Sequence, residues 1–248
     1  LGTFIVRPIE GFRDTVRRAE LVDAAEMALR RTARDIRRAL PNSVRIRDSL
    51  GNVDNVTCTV PGVTCAIEML NTVDGGRYRE GPGINPSTHN HANMQFRLKI
   101  DSNDSDGFNI IGLFQHLNEF ETSPGAFNST GTPFRLAIYN QGESVPTANA
   151  YIDGDDSLPP RTAYVITRPG TTTFRIDPDC ETGNPPGCGD EHWIRPLAGG
   201  FFRFSNVSPN QRVFIVDTPV TYLCTAGPGG TIRRYEGYAI RATQPTNP

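Results

Sequence analysis

Apolar residues recur at three- and four-residue intervals in one long stretch only, residues 9 to 40. There Val22, Ala25, Leu29, Thr32, Ala33, Ile36 and Leu40 mark a stripe that Phe12, Val16 and Ala19 extend upstream. That period predicts an amphipathic helix. Pro8 suits a first turn or a kink, and Pro41-Asn42 ends the run. The opposite face carries Arg17, Arg18, Arg30, Arg31, Arg34, Arg37 and Arg38, interleaved with Glu20, Asp23, Glu26 and Asp35. Asp14–Arg18 and Glu26–Arg30 stand four apart with the acid first, the favourable order on a helix.

After Pro41 the period shortens to two. Ser43-Val44-Arg45-Ile46-Arg47 and Gln95-Phe96-Arg97-Leu98-Lys99-Ile100 alternate as half-buried strands do. Further strands are predicted at 66–70, 108–113, 134–139, 163–167, 172–176, 201–204, 212–216, 220–224 and 232–240. One helix followed by a run of strands, without βαβ alternation, gives an α+β fold with an antiparallel sheet. The helix, 1–41, is expected to bury its stripe on that sheet and form one domain with a β-rich head, 42–248. The stretches 74–93, 141–160 and 177–192 read as long polar loops, where binding functions usually sit.

Composition narrows the function classes. A formal net charge of −2 and a pI near 6.1 give no electrostatic case for nucleic acid or an anionic membrane. Because acids alternate with the arginines, the Arg30, Arg34, Arg37 and Arg38 face reads as a solvated or subunit-facing surface, with no nucleic-acid partner expected. No window reaches the roughly 18 to 20 apolar residues of a membrane span. The run Leu1-Gly2-Thr3-Phe4-Ile5-Val6 reads either as a first buried strand or as the last turns of a longer hydrophobic helix.

Four of the five cysteines form two close pairs. Cys58 and Cys65 flank Thr-Val-Pro-Gly-Val-Thr, and Cys180 and Cys188 flank Glu-Thr-Gly-Asn-Pro-Pro-Gly. Proline and glycine let each loop turn back, so two local disulfides are expected, with an oxidising compartment. Zinc is the rival reading; neither spacing is C-x2-C and no extra ligands lie between. Cys224, within Val220-Thr221-Tyr222-Leu223, is expected as a buried free thiol.

Candidate chemistry is sparse. His89-Asn90-His91 lacks nameable partners for a metal, and His116 and His192 stand apart. Ser102-Asn103-Asp104-Ser105-Asp106-Gly107 opens like a calcium loop, but Leu113 stands where a bidentate Glu is required. Asp153, Asp155 and Asp156 form an acidic turn whose alternatives are a Ca²⁺ site or carboxylates capping local amides. Serine-hydrolase, phosphate-loop, dinucleotide and H-E-x-x-H signatures are absent, and neither cysteine pair is C-x-x-C. No catalytic residues or bound cofactor are expected, and no enzyme.

The helix and its exit carry a resemblance. Pro8-Ile9-Glu10-Gly11-Phe12, residues 17–25, Ala28-Leu29-Arg30-Arg31 and residues 34–45 resemble the MshO family, and so do residues 73–79, 136–142, 220–224 and 232–238. Its members are minor pilins of the mannose-sensitive haemagglutinin (MSHA) type IV pilus system, related to minor pseudopilins of type II secretion. The resemblance implies a type IV pilin-like fold and a non-enzymatic subunit acting in filament initiation or at the tip. The alternatives it leaves are a surface- or glycan-binding tip adhesin acting through the head loops, and a secretion pseudopilin. It also implies other pilin and minor pilin partners, an inner-membrane anchor through a helix preceding Leu1, a periplasm-facing head and, after assembly, an extracellular pilus. The cysteine pairs and the loops 101–133 and 177–192 depart from the family pattern.

Overall fold

A computed structural model describes residues 2–53, 56, 58–79, 97–116, 127–178, 191–197 and 199–245. The chain divides into two compact units, Leu1–Arg37 and Arg38–Pro248.

The first unit is helix α1, Gly2–Arg37. It starts at Gly2, so the strand reading of Leu1–Val6 does not hold, and Pro8 lies in the helix interior rather than in its first turn. Arg34 and Arg37 in the last turn complement the partial negative charge of the helix C-terminus. Within this unit Val22, Leu29 and Ile36 of the stripe are 64%, 67% and 42% exposed. The helix also ends three residues before Leu40. Arg38 O accepts from Thr72 N at 2.9 Å and Leu40 N donates to Leu70 O at 2.8 Å, so sheet hydrogen bonds replace the helical ones. Leu40 itself is buried in the second unit.

The second unit is built on nine antiparallel strands among the described residues: β1 Arg45–Asp48, β2 Thr64–Tyr78, β3 Phe108–Ile111, β4 Phe127–Asn128, β5 Arg135–Ala137, β6 Phe174–Pro178, β7 His192–Pro196, β8 Arg212–Thr225 and β9 Thr231–Glu236. They run in the order β4-β6-β7-β3-β2-β8-β5, with β1 added to β2 and β9 to β8. The α+β class with an antiparallel sheet is therefore present. β2 and β8 form its long central ladder and slip register at Leu70/Thr72 and Thr72/Asp74, near Pro219. Proline cannot donate to a ladder and settles at such irregularities. Two strands predicted at 212–216 and 220–224 are thus one strand continuing through a bulge.

The main core is aromatic. Phe108 meets Tyr78, Phe202 and Phe204 edge-on, with ring centroids 6.2, 5.8 and 6.5 Å away. Such edge-to-face pairs add to the burial of the rings themselves. Just before β3, Gly107 lets the chain approach the backbone of β7: its φ is +82°, and a Cβ there would stand 2.1 Å from the carbonyl oxygen of Ile194. A second cluster gathers Leu40, Leu70, Tyr151, Val165, Ile166 and Ile240.

Several local expectations change. The segments 163–167 and 201–204 supply only isolated bridges, such as Tyr164 with Phe204 and Phe202 with Asp104. β4 and β7 were not foreseen. The 141–160 stretch is no open loop: helix α2, Ala150–Asp153, lies within it, and Asn149, Tyr151, Asp153 and Asp155 are buried. In β1 the alternation is real but the polar face is the buried one. Ser43 and Arg45 are inside while Val44 and Ile46 are exposed; Asp48, which shares the parity of Ile46, is buried too, so the alternation ends before it.

Candidate functional site

The candidate interface arginines lie on and just after the last turns of α1. Arg30 pairs with Glu26 at 2.5 Å, realising the i, i+4 spacing, and Arg34 stands 3.9 Å from Asp35. All of Arg30, Arg34, Arg37 and Arg38 are exposed. Exposed pairs of this kind contribute little to stability, typically below about 1 kcal/mol. Their charges remain available to a partner.

Cys58 and Cys65 are disulfide-bonded, with Cα atoms 5.5 Å apart. Cys180 and Cys188 lie outside the described residues, as do His89 and His91. Cys224 is a free thiol, half-buried rather than buried as expected.

The acidic turn after α2 is occupied by the protein itself. Asp153 accepts from Val165 N at 2.8 Å and lies 3.3 Å from Arg161 Nε. Asp156 pairs with Arg135 at 2.9 Å. Asp155 accepts from Ser157 N at 2.9 Å, from Ser157 Oγ at 2.6 Å, from Ala242 N at 2.9 Å and from Arg241 at 3.2 Å. Arginines and backbone N–H groups thus occupy most of the carboxylate oxygens that a cation would need, and Asp153 Oδ1 is left with only the Arg161 charge nearby. Of the two readings of this turn, these contacts favour carboxylates that bind internal donors. Among the described residues, no group of three or more His, Cys, Asp or Glu side chains is arranged to hold a metal ion.

Asp155 gives a pH dependence. Burial pushes its carboxyl up, but the donors from Ser157, Ala242 and Arg241 outweigh it and hold the group at about 2, below its ordinary 3.8. A depressed carboxyl stabilises the fold fully above 3.8 and loses that contribution as pH falls through about 2. Asp155→Asn is therefore expected to lower Tm at neutral pH, with the difference from wild type closing towards about pH 2. Thermal unfolding of both proteins across that range checks this, and a deficit independent of pH would refute it.

The calcium-like run at 102–107 carries its own cation. Lys99, the only lysine in the sequence, places Nζ 3.4 Å from Asp104 and 2.8 Å from Asp106. Its pKa is raised, chiefly by the hydrogen bond to Asp106, while burial raises that of Asp104. Neither described histidine joins a site. His116 N donates to Asp74 at 2.6 Å, and His192 Nδ1 accepts from Phe114 N at 3.0 Å.

The most elaborate polar cluster is one that sequence reasoning missed. Arg45 and Glu68 are opposed in the β1–β2 register, and their side chains are 2% and 0% exposed. Arg45 Nε donates to Glu68 at 2.6 Å, and its other nitrogens donate to Glu143 at 3.2 Å and to the carbonyls of Ala242 and Arg241 at 2.7 Å each. The guanidinium lies 3.5 Å over the Tyr151 ring centroid. The second oxygen of Glu68 accepts from Tyr238 Oη at 2.8 Å, and Tyr238 also bonds Thr221. Burial raises the Glu68 carboxyl and the Tyr151 and Tyr238 hydroxyls above their ordinary values. The cluster fastens the segment after β9 onto the sheet, with Gln244 Nε2 donating to Ala66 O at 2.9 Å. A glutamate inside the apolar run Ala66-Ile67-Glu68-Met69-Leu70 was the available sequence signal. Such a charge at a strand centre needs a buried partner.

No protein-family model, curated protein or solved structure matches this chain.

Proposed function

We propose that this chain is a structural, non-enzymatic subunit of a type IV pilus-type filament, a minor pilin acting in initiation or at the tip. The observation that carries the proposal is the surface of α1. Phe12, Leu21, Val22, Met27 and Leu29 are exposed on a 36-residue helix that also presents Arg30, Arg34 and Arg37. Of these, Val22 and Leu29 share one stripe of the helix, and large apolar side chains exposed there call for a covering surface. In this reading the occupants are the helices of neighbouring pilin and minor pilin subunits, with Arg30, Arg34, Arg37 and Arg38 making polar contacts beside them. The disulfide in the β unit supports an exported protein, since such bonds persist in oxidising compartments.

The double charge reversal Arg34→Glu/Arg38→Glu tests the interface. Filament assembly in cells carrying the full-length variant is expected to fail, while Tm of the purified protein stays at the wild-type value. Both side chains are exposed, and surface substitutions usually change stability by no more than about 0.5 kcal/mol. Normal filaments from the variant would overturn the assignment of this face.

A further inference from the structure

Cys224 does not stand alone. It is directly opposite Cys65 in the β2–β8 ladder, and Cys65 already carries the disulfide to Cys58. Directly opposed residues of antiparallel strands point to the same face with Cβ atoms about 4.5–5.5 Å apart. A disulfide needs about 3.5–4.5 Å, so a shift of about 1 Å brings the third sulfur into bonding geometry. The pair lies one position from the end of the ladder, where Thr64 faces Thr225, and Cys58 lies in a turn outside the strands. A small movement there disturbs few sheet hydrogen bonds.

We propose that Cys65 exchanges its partner, so that the protein carries either the Cys58–Cys65 or the Cys65–Cys224 disulfide. The Cys224 thiolate attacks Sγ of Cys65; the Cys65–Cys224 bond forms as the Cys58–Cys65 bond breaks. Cys58 leaves as a thiolate and takes up a proton, balancing the one that Cys224 gave to solvent. Among these three cysteines one disulfide and one thiol remain, so no oxidant or reductant is consumed. The covalent tie thereby moves from a short local loop to the two central strands of the sheet, closing a much longer segment of chain. Longer closed segments restrict the unfolded chain more, which favours the exchanged form.

The test uses the full chain. Protein is incubated at mildly alkaline pH, where exchange is faster, quenched with acid, alkylated without reduction and mapped by peptide mass. The expected result is loss of label at Cys224, gain at Cys58 and a linked peptide containing Cys65 and Cys224. In a second arm, Cys58→Ser is treated with glutathione disulfide. It is expected to lose two hydrogens in mass as Cys65 and Cys224 join, whereas Cys58→Ser/Cys224→Ser is not. If Cys58→Ser does not fold, the wild-type map alone decides. If, of Cys58, Cys65 and Cys224, only Cys224 is labelled at every time point, the proposal is overturned, as it is by a bond from Cys224 to Cys58 or to a second molecule.

Discussion

Arg45→Met is expected to cost about 3–5 kcal/mol of unfolding free energy, measured by urea unfolding at neutral pH. The substitution keeps the long apolar stem but removes the charge facing Glu68, which is fully buried. Glu68 would retain Tyr238 as a donor, and the carbonyls of Arg241 and Ala242 would lose theirs. An uncompensated buried charge is the costly outcome, far more so than the absence of the pair. Arg45→Met/Glu68→Leu is accordingly expected to recover much of the loss, leaving the cost of the freed carbonyls. The deficit of the single variant also has a sign in pH. Burial, the largest influence, raises the Glu68 carboxyl above 4.5 even beside Arg45. Protonation therefore relieves the unpaired charge, and the deficit shrinks as pH falls towards the ordinary range of a glutamate. A single-variant loss below about 1 kcal/mol would mean that Glu68 finds water or another donor. Since whole domains are stable by only about 5–15 kcal/mol, the expected loss is a large share of the total.

Phe108→Ala is expected to cost a similar amount, about 3–5 kcal/mol, through lost burial and the cavity left behind. The ring is fully buried and touches Tyr78, Phe202 and Phe204 at once, so no single neighbour can move to fill its place. Phe108→Leu should keep a good part of the loss from appearing, because it retains most of the volume. Phe201, in the same aromatic run as Phe202 and Phe204 but exposed, is the matched control. Its replacement by Ala is expected to change stability by about 0.5 kcal/mol or less. Urea midpoints for the three variants check the order, and equal losses at 108 and 201 would contradict the assigned core.

The local parts of the fold were legible in the chain. The 3.6-residue period of residues 9–40 is a property of neighbouring side chains, and the helix that it predicted is present, extended upstream to Gly2. The halves of β8 were each readable from short β-branched and aromatic runs. Their union was not, because Thr218-Pro219 looks like a break unless a facing strand supplies the matching bulge. β7 is a mixed run, His192-Trp193-Ile194-Arg195-Pro196, whose inward residues are revealed only by β3 and β6 on either side. Among the polar features, the Cys58–Cys65 bond was readable because a loop of that length with Pro and Gly closes on itself. The acidic turn left a cation or local amide caps open, and the arginines that pair with it, Arg135, Arg161 and Arg241, come from segments with no sequence mark of belonging there.

By itself the sequence determined one long helix, a following antiparallel β unit, a local disulfide and the absence of the common catalytic signatures. These follow from spacing, and spacing acts between residues close along the chain. Tertiary structure alone decided which face of β1 is buried, because alternation by two marks that a strand has two faces without saying which one meets the core. It also decided that Arg45 is bound by Glu68 and the carbonyls of Arg241 and Ala242, and that the helix stops at Arg37 because Arg38 and Leu40 bond to β2. Each of these outcomes depends on a partner far away in sequence, and a one-dimensional pattern carries no information about which distant group that partner will be.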